Sequence, residues 1–229
     1  MNAQYLVRWV FLGLALVLGA IGPASPARPA DSDGQAWTMF AAQGHIARRV
    51  RLYLEAQPRM ALDDVRLDRM LLRAAVGYDL SRHASLWLGY GWTPLVTPDF
   101  QDEQRPFQQL LLTHRPAGGT LINRTRFEQR RIEGSDLSLR VRHLVRFLRP
   151  FTATSPWRWI LSDEVFVNLN APGRGPGQGF DQNRVFAGLG LQAGAVLFEA
   201  GYLNDFIARR GQADRVRHVG LFAATLNWP

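Results

Sequence analysis

The sequence contains no cysteine and no lysine. The first absence excludes disulfide staples and thiolate metal sites and leaves the redox compartment open. The second makes each of the 27 Lys-or-Arg cations an arginine. With a formal charge of +8, nucleic-acid binding is the first class to weigh. The arginines form neither a basic run nor a recognition helix, however, and alternate with apolar residues, which argues for no nucleic-acid partner. No apolar run reaches the ~20 residues that cross a bilayer as a helix, and no helical period occurs beyond about residue 27. Gly-x-Ser-x-Gly, His-Glu-x-x-His and a carboxylate cluster suited to a metal are all missing. The sequence therefore nominates no catalytic residue, no metal ligand and no cofactor.

What is present is a chain of 229 residues, 47% of them hydrophobic, enough for one large all-β domain. Residues 1–27 read as a signal peptide: Arg8 is the positive flank, Trp9–Ile21 the short apolar run, and Ser25-Pro26-Ala27 the small residues a signal peptidase reads. Ten period-2 segments then run to the C-terminus, starting at Val50. They include Val50–Arg59, Arg69–Leu80, Ala84–Pro94, Phe107–Arg115, Trp157–Leu169, Gln182–Gln192, Val196–Asn204 and Arg215–Trp228. Most approach the ~9–11 residues of a tilted membrane strand rather than the ~5–6 of a soluble sheet.

The stretch Leu121–Arg149 supplies the other two segments and the sharpest signal, a hairpin around Gly134-Ser135-Asp136. Arg124, Arg126, Glu128 and Arg130 share one parity of the first strand, and Arg140, Arg142 and Arg146 share one parity of the second. Strands send alternate side chains to opposite faces, so one face is a row of guanidiniums around a carboxylate and the other is mainly apolar. Tight connections (Ser81-Arg82-His83, Pro116–Gly119, Ala193-Gly194-Ala195) alternate with longer ones (Leu95–Arg105, Asn170–Asp181, Ile207–Asp214). Tyr78, Tyr90, Trp92, Trp157, Trp159, Tyr202 and Trp228 stand towards segment ends on the apolar faces, as interfacial girdles do.

These features predict an up-and-down antiparallel transmembrane β-barrel of about ten strands. Residues 28–49 form a periplasmic leader or tether, a plug, or half of an extra strand pair that would make twelve, and 50–229 form the barrel. An even count puts both ends on the periplasmic side. Arginines facing lipid would cost ~2–4 kcal/mol each at the midplane, so they must face the lumen. The lumen set comprises Arg124, Arg126, Glu128, Arg130, Arg140, Arg142, Arg146, Glu164, Asn168, Arg184 and Glu199.

Arg124-x-Arg126-x-Glu128-x-Arg130, Arg140-x-Arg142, Asp163-Glu164-x-Phe166-x-Asn168, Asn183-Arg184 with Gly188, and Gly201-Tyr202 together resemble the bacterial family known as domain of unknown function 2490. The likeness runs from about Trp37 to the C-terminus. It implies an outer-membrane β-barrel and brings no activity with it.

Three functions stay open. The first is an outer-membrane barrel, structural or weakly permeable to small anions, with outer-membrane lipid and the barrel-assembly machinery as partners. The second is a soluble periplasmic barrel that binds a small ligand. The third is a lipid-modifying hydrolase, for which His45, His83, His114, His143 and His218 are the available bases, His143 on an apolar parity with no serine near it. The glycine-rich Asn170–Asp181 lacks the Lys-Ser/Thr of a phosphate cradle and reads as an exposed, mobile loop.

Overall fold

The computed structural model describes residues 30–96, 100–116, 118–173 and 177–229. The segment read as a signal peptide lies outside these. The described residues form strands and connections only, with no helix among them. Eleven strands follow in order: β1 (Asp31–Ala47), β2 (Val50–Ala61), β3 (Arg66–Ser81), β4 (Ala84–Trp92), β5 (Glu103–His114), β6 (Thr120–Ile132), β7 (Ser138–Pro150), β8 (Trp157–Asn168), β9 (Gly179–Ala193), β10 (Val196–Ile207) and β11 (Arg215–Asn227). Each pairs antiparallel with its chain neighbour, and β1 closes the barrel against β11.

The count is eleven, not ten or twelve, because Asp31–Ala47 forms a single strand rather than a tether, a plug or half of an extra pair. An odd number of alternating strands leaves the first and last pointing the same way, so the closing seam must be parallel. It runs from Asp31↔Arg215 to Gln43↔Asn227. A second correction follows: the two ends of the barrel chain lie at opposite rims. Asp31 starts at the rim of the longer connections, and Pro229 ends at the rim of the tight turns.

Alternation decides which side chains go inside. On β6, Arg126, Glu128 and Arg130 are buried, while on β4 and β8 Leu86, Leu88, Trp159 and Leu161 are exposed. The lumen holds two apolar clusters among its charges. Leu148 and Ile160 pack with Trp37, Phe186, Leu203 and Val219, and Trp87 packs with Ala75 and Phe107. At the rim of the longer connections stand Glu103, Arg105, Arg130, Arg140, Asp205 and Arg217, each within two residues of a strand end. Gly77 makes room for the second cluster: a Cβ there would lie 2.6 Å from the Trp87 ring. The turn between β6 and β7 uses Gly134 at φ 74°, a conformation that costs other residues strain.

Candidate functional site: a charge network in the lumen

Two carboxylates, one on β6 and one on β8, organise the central arginines. Glu128 on β6 is 1% exposed. It accepts from Arg140 Nε at 3.0 Å and Nη2 at 2.7 Å, and from Arg142 Nη1 at 2.8 Å. Cross-strand register sets this up, since Glu128 lies opposite Arg140 and Arg126 opposite Arg142. Arg142 then reaches the next strand, donating to Glu164 through Nε at 3.1 Å and Nη2 at 2.9 Å. Glu164 also accepts from Arg124 at 2.8 Å. Arg142 therefore bridges two carboxylates, a role that its planar fork performs and a lysine could not.

The other members attach around this centre. Arg140 also donates to Asp181 at 3.1 Å. Arg130 donates to Glu103 at 2.7 Å, and Arg105 holds the same carboxylate through two bonds of 2.7 and 2.6 Å. On the far wall Arg146 pairs with Glu199 at 2.6 Å, Arg184 with Asp205 at 3.1 Å, and Arg73 with Glu55 at 2.6 Å. Aromatic rings fill the gaps: Phe166 lies under Arg140, Arg142 and Arg184, and Phe107 lies 4.0 Å from the Arg126 guanidinium. Cation–π contacts therefore run alongside the ion pairs at Arg140, Arg142 and Arg184, and at Arg126 they join a neutral amide partner.

The eleven lumen residues read from the sequence fall into three kinds. Arg124, Glu128, Arg140, Arg142 and Glu164 form one connected cluster. Arg130, Arg146, Arg184 and Glu199 belong to neighbouring pairs. Arg126 and Asn168 are buried but differ in role: Arg126 donates to the side-chain Oε1 of Gln109 at 2.9 and 2.7 Å, and Asn168 donates to the backbone carbonyl of Gly177 at 3.0 Å. Glu103, Arg105, Asp205 and Trp37 were missed. The signal for the first two was present, because Glu103-x-Arg105-x-Phe107 keeps the inward parity. Pro106 obscured it: it interrupts the β5–β6 ladder at an outward position, where a missing donor is tolerated.

The histidines do not assemble into a relay. His45 contacts Asp79 at the tight-turn rim, His83 stacks on His114, and His218 meets Tyr202 on the outer wall. His143 does have a hydroxyl partner, Thr125 across the strand, at 2.9 Å. Among the described residues, no group of three or more His, Cys, Asp or Glu side chains could hold a metal. The described parts of the glycine-rich connection are stapled down: Asn170 accepts from the Leu139 amide at 2.8 Å, and the Gly173 amide donates to Asp136 at 3.2 Å. Residues 174–176 of that connection lie outside the described residues.

Comparison with known proteins adds a family and no activity. The family described as "Protein of unknown function (DUF2490)" matches residues 34–217. An uncharacterised protein of Methylorubrum extorquens is 32% identical over 216 residues, covering 90% of this chain and 92% of its own. Among solved structures, LpxR from Salmonella typhimurium superposes with a TM-score of 0.46 at 8% identity, over 77% of this chain and 83% of that one.

Proposed function

The chain belongs to the DUF2490 family of proteins of unknown function, and we propose that it is an integral outer-membrane barrel whose lumen is plugged by its own side chains. The observation that carries this reading is an inside-out distribution of polarity. Arginine–carboxylate pairs fill the interior, while Leu54, Val76, Leu88, Val145, Leu161, Val185, Phe198 and Phe222 are exposed around the wall, Leu88 at 64%. In water such a wall would be an aggregation surface; against lipid it is the favourable side. Aromatics mark both edges of this band. Trp157, Trp159 and Phe151 stand at the tight-turn edge, and Tyr90, Trp92 and Phe180 at the other.

The plug is mixed: the apolar clusters around Trp37 and Trp87 interleave with the arginine–carboxylate pairs along the lumen. A barrel of eleven strands sits close to the eight whose interior side chains fill it, and far from the sixteen that leave a channel. The bound on permeability is therefore set by packing rather than by charge.

Two measurements test the proposal. After carbonate washing the protein stays with the outer membrane, and unboiled samples migrate differently from boiled ones; recovery in the soluble periplasmic fraction refutes membrane integration. In planar bilayers the pure protein shows no stable conductance. A weakly anion-permeable lumen is the competing reading, favoured by the surplus of arginine over carboxylate inside. It predicts small anion-selective steps whose reversal potential Arg126→Glu moves towards cations.

A further inference from the structure

One part of the outer wall breaks the apolar rule. On β6 to β11, outward positions carry Thr125, His143, Asp163, Asn183, Asn204 and His218. They lie along two adjacent cross-strand lines. One passes through Thr125, His143, Val165 and Asn183. The other passes through Asn123, Val145, Asp163, Val185, Asn204 and His218. On β8 the strip is flanked by Leu161 and Val165, and on β7 by Val141 and Val145, so it is embedded in the apolar band rather than bordering it. It also slopes. His218 lies three residues in from the long-connection end of β11, Asp163 five from that end of β8, and Thr125 seven from that end of β6.

Most of these groups satisfy one another. Thr125 Oγ1 and His143 Nδ1 are 2.9 Å apart, Tyr202 Oη and His218 Nδ1 are 2.6 Å apart, and Asn204 Nδ2 donates weakly to Tyr202 at 3.4 Å. Asp163 is the exception. Its carboxylate accepts from Asn183 Nδ2 at 2.5 Å, and among the described residues it has no cationic side chain within ion-pair distance, although the lumen behind it is crowded with arginine. A charge on a lipid-facing wall is costly and is retained where it meets a partner. His143, diagonal to it on the neighbouring β7, already holds the neutral Thr125 hydroxyl through Nδ1.

We propose that this strip is a binding site for an amphiphile with a primary ammonium in its head group, whose cation pairs with Asp163 while its chains lie on the flanking apolar wall. The unpaired negative charge selects the ammonium. The polar groups step in from the rim, with Val185 between Asn204 and Asp163, and give the head group hydrogen-bonding partners on its way into the band, while Asn183 holds the carboxylate in place. The inference rests on the membrane reading above.

Native mass spectrometry of the full chain in detergent tests it, with phosphatidylethanolamine, phosphatidylcholine and phosphatidylglycerol as probes. Phosphatidylethanolamine binds at least tenfold more tightly than phosphatidylcholine, which keeps the positive charge but has no N–H. Asp163→Asn brings the two within about twofold, whereas Asp64→Asn, which removes a carboxylate in the β2–β3 turn outside the strip, preserves the preference. With the wild-type chain alone, mono- and dimethylated ethanolamine lipids fall between the two extremes, so the inference is testable even if the variants fold poorly. Equal binding of all three lipids overturns it, as does a preference that survives Asp163→Asn. A dimer of the chain that Asp163→Asn dissolves also overturns it, since the strip would then face a second copy. An intact barrel that stays with carbonate-washed membranes yet shows no lipid preference refutes this site alone; a soluble protein refutes the membrane reading.

Discussion

Replacing Glu128 by alanine removes the acceptor of three hydrogen bonds from two guanidiniums, in a site only 1% exposed. Breaking a buried ion pair by deleting one partner costs ~3–5 kcal/mol, because the surviving charge stays desolvated. The geometry sets where in that range the variant falls. Arg140 keeps Asp181 at 3.1 Å, and Arg142 keeps Glu164. Arg126, whose Nη1 stands 3.8 Å from Glu128 and makes no hydrogen bond, keeps only the side-chain Oε1 of Gln109. Two of three cations thus retain a carboxylate, which places the loss near the lower end, about 3 kcal/mol. Arg131→Ala is the control: it lies on the exposed parity beside the turn and should change stability by no more than ~0.5 kcal/mol. Urea unfolding of both variants in detergent micelles, followed by tryptophan fluorescence, gives the comparison. Equal midpoints for Glu128→Ala and Arg131→Ala would mean that the guanidiniums find water in the lumen, and the packed plug would be wrong.

Arg59 is buried but donates to Gln57 and stacks 3.6 Å from Trp37, with no carboxylate to orphan. Arg59→Met should therefore cost under ~1.5 kcal/mol in the same assay, whereas Arg142→Met costs ~3–5 kcal/mol by stripping both Glu128 and Glu164. Gly77→Val pushes a branched side chain into the Trp87 ring and should lower the unfolding free energy by ~1–3 kcal/mol, with a shift in tryptophan emission. The absence of cysteine makes the seam testable: Ala42→Cys with Leu226→Cys, partners across β1 and β11, should crosslink on mild oxidation, while Ala42→Cys with Thr225→Cys, offset by one residue and facing the other way, should not. Equal yields from the two pairs would refute the parallel closure.

Period-2 alternation made the inner and outer faces legible in advance, because it is a local property of each strand. Arg124, Arg126, Glu128 and Arg130 fall inside for the reason their spacing implied. Partner choice was less legible. Which carboxylate serves which guanidinium depends on cross-strand register, and Arg142 bridging Glu128 to Glu164 requires β7 to lie between β6 and β8 at one particular offset. Proline hid Glu103 and Arg105 by making a strand start look like a loop. The outer strip was hidden for the opposite reason. Thr125, His143 and Asn183 each look like a single polar interruption of an apolar face, and only register brings three strands' interruptions together.

The strand count shows most clearly where local reading stops. Residues Trp37–Ile46 alternate well enough to be a strand, yet an even-numbered bacterial barrel leaves no place for one strand alone. Closure decides the matter, and closure is a long-range property. A ten-stranded barrel would bury β2 against β11 and leave Gln35 and Trp37 in the periplasm. In the eleven-stranded barrel both are buried, Trp37 at 2% exposure with its indole nitrogen donating to Gln35 at 2.7 Å. Its ring contacts the guanidiniums of both Arg59 and Arg184, at 3.6 and 4.9 Å. Arg184 also has Asp205, whereas Arg59 has only Gln57 and this ring. The extra strand supplies an aromatic face to two like charges, and a parallel seam is the geometric consequence of placing it there.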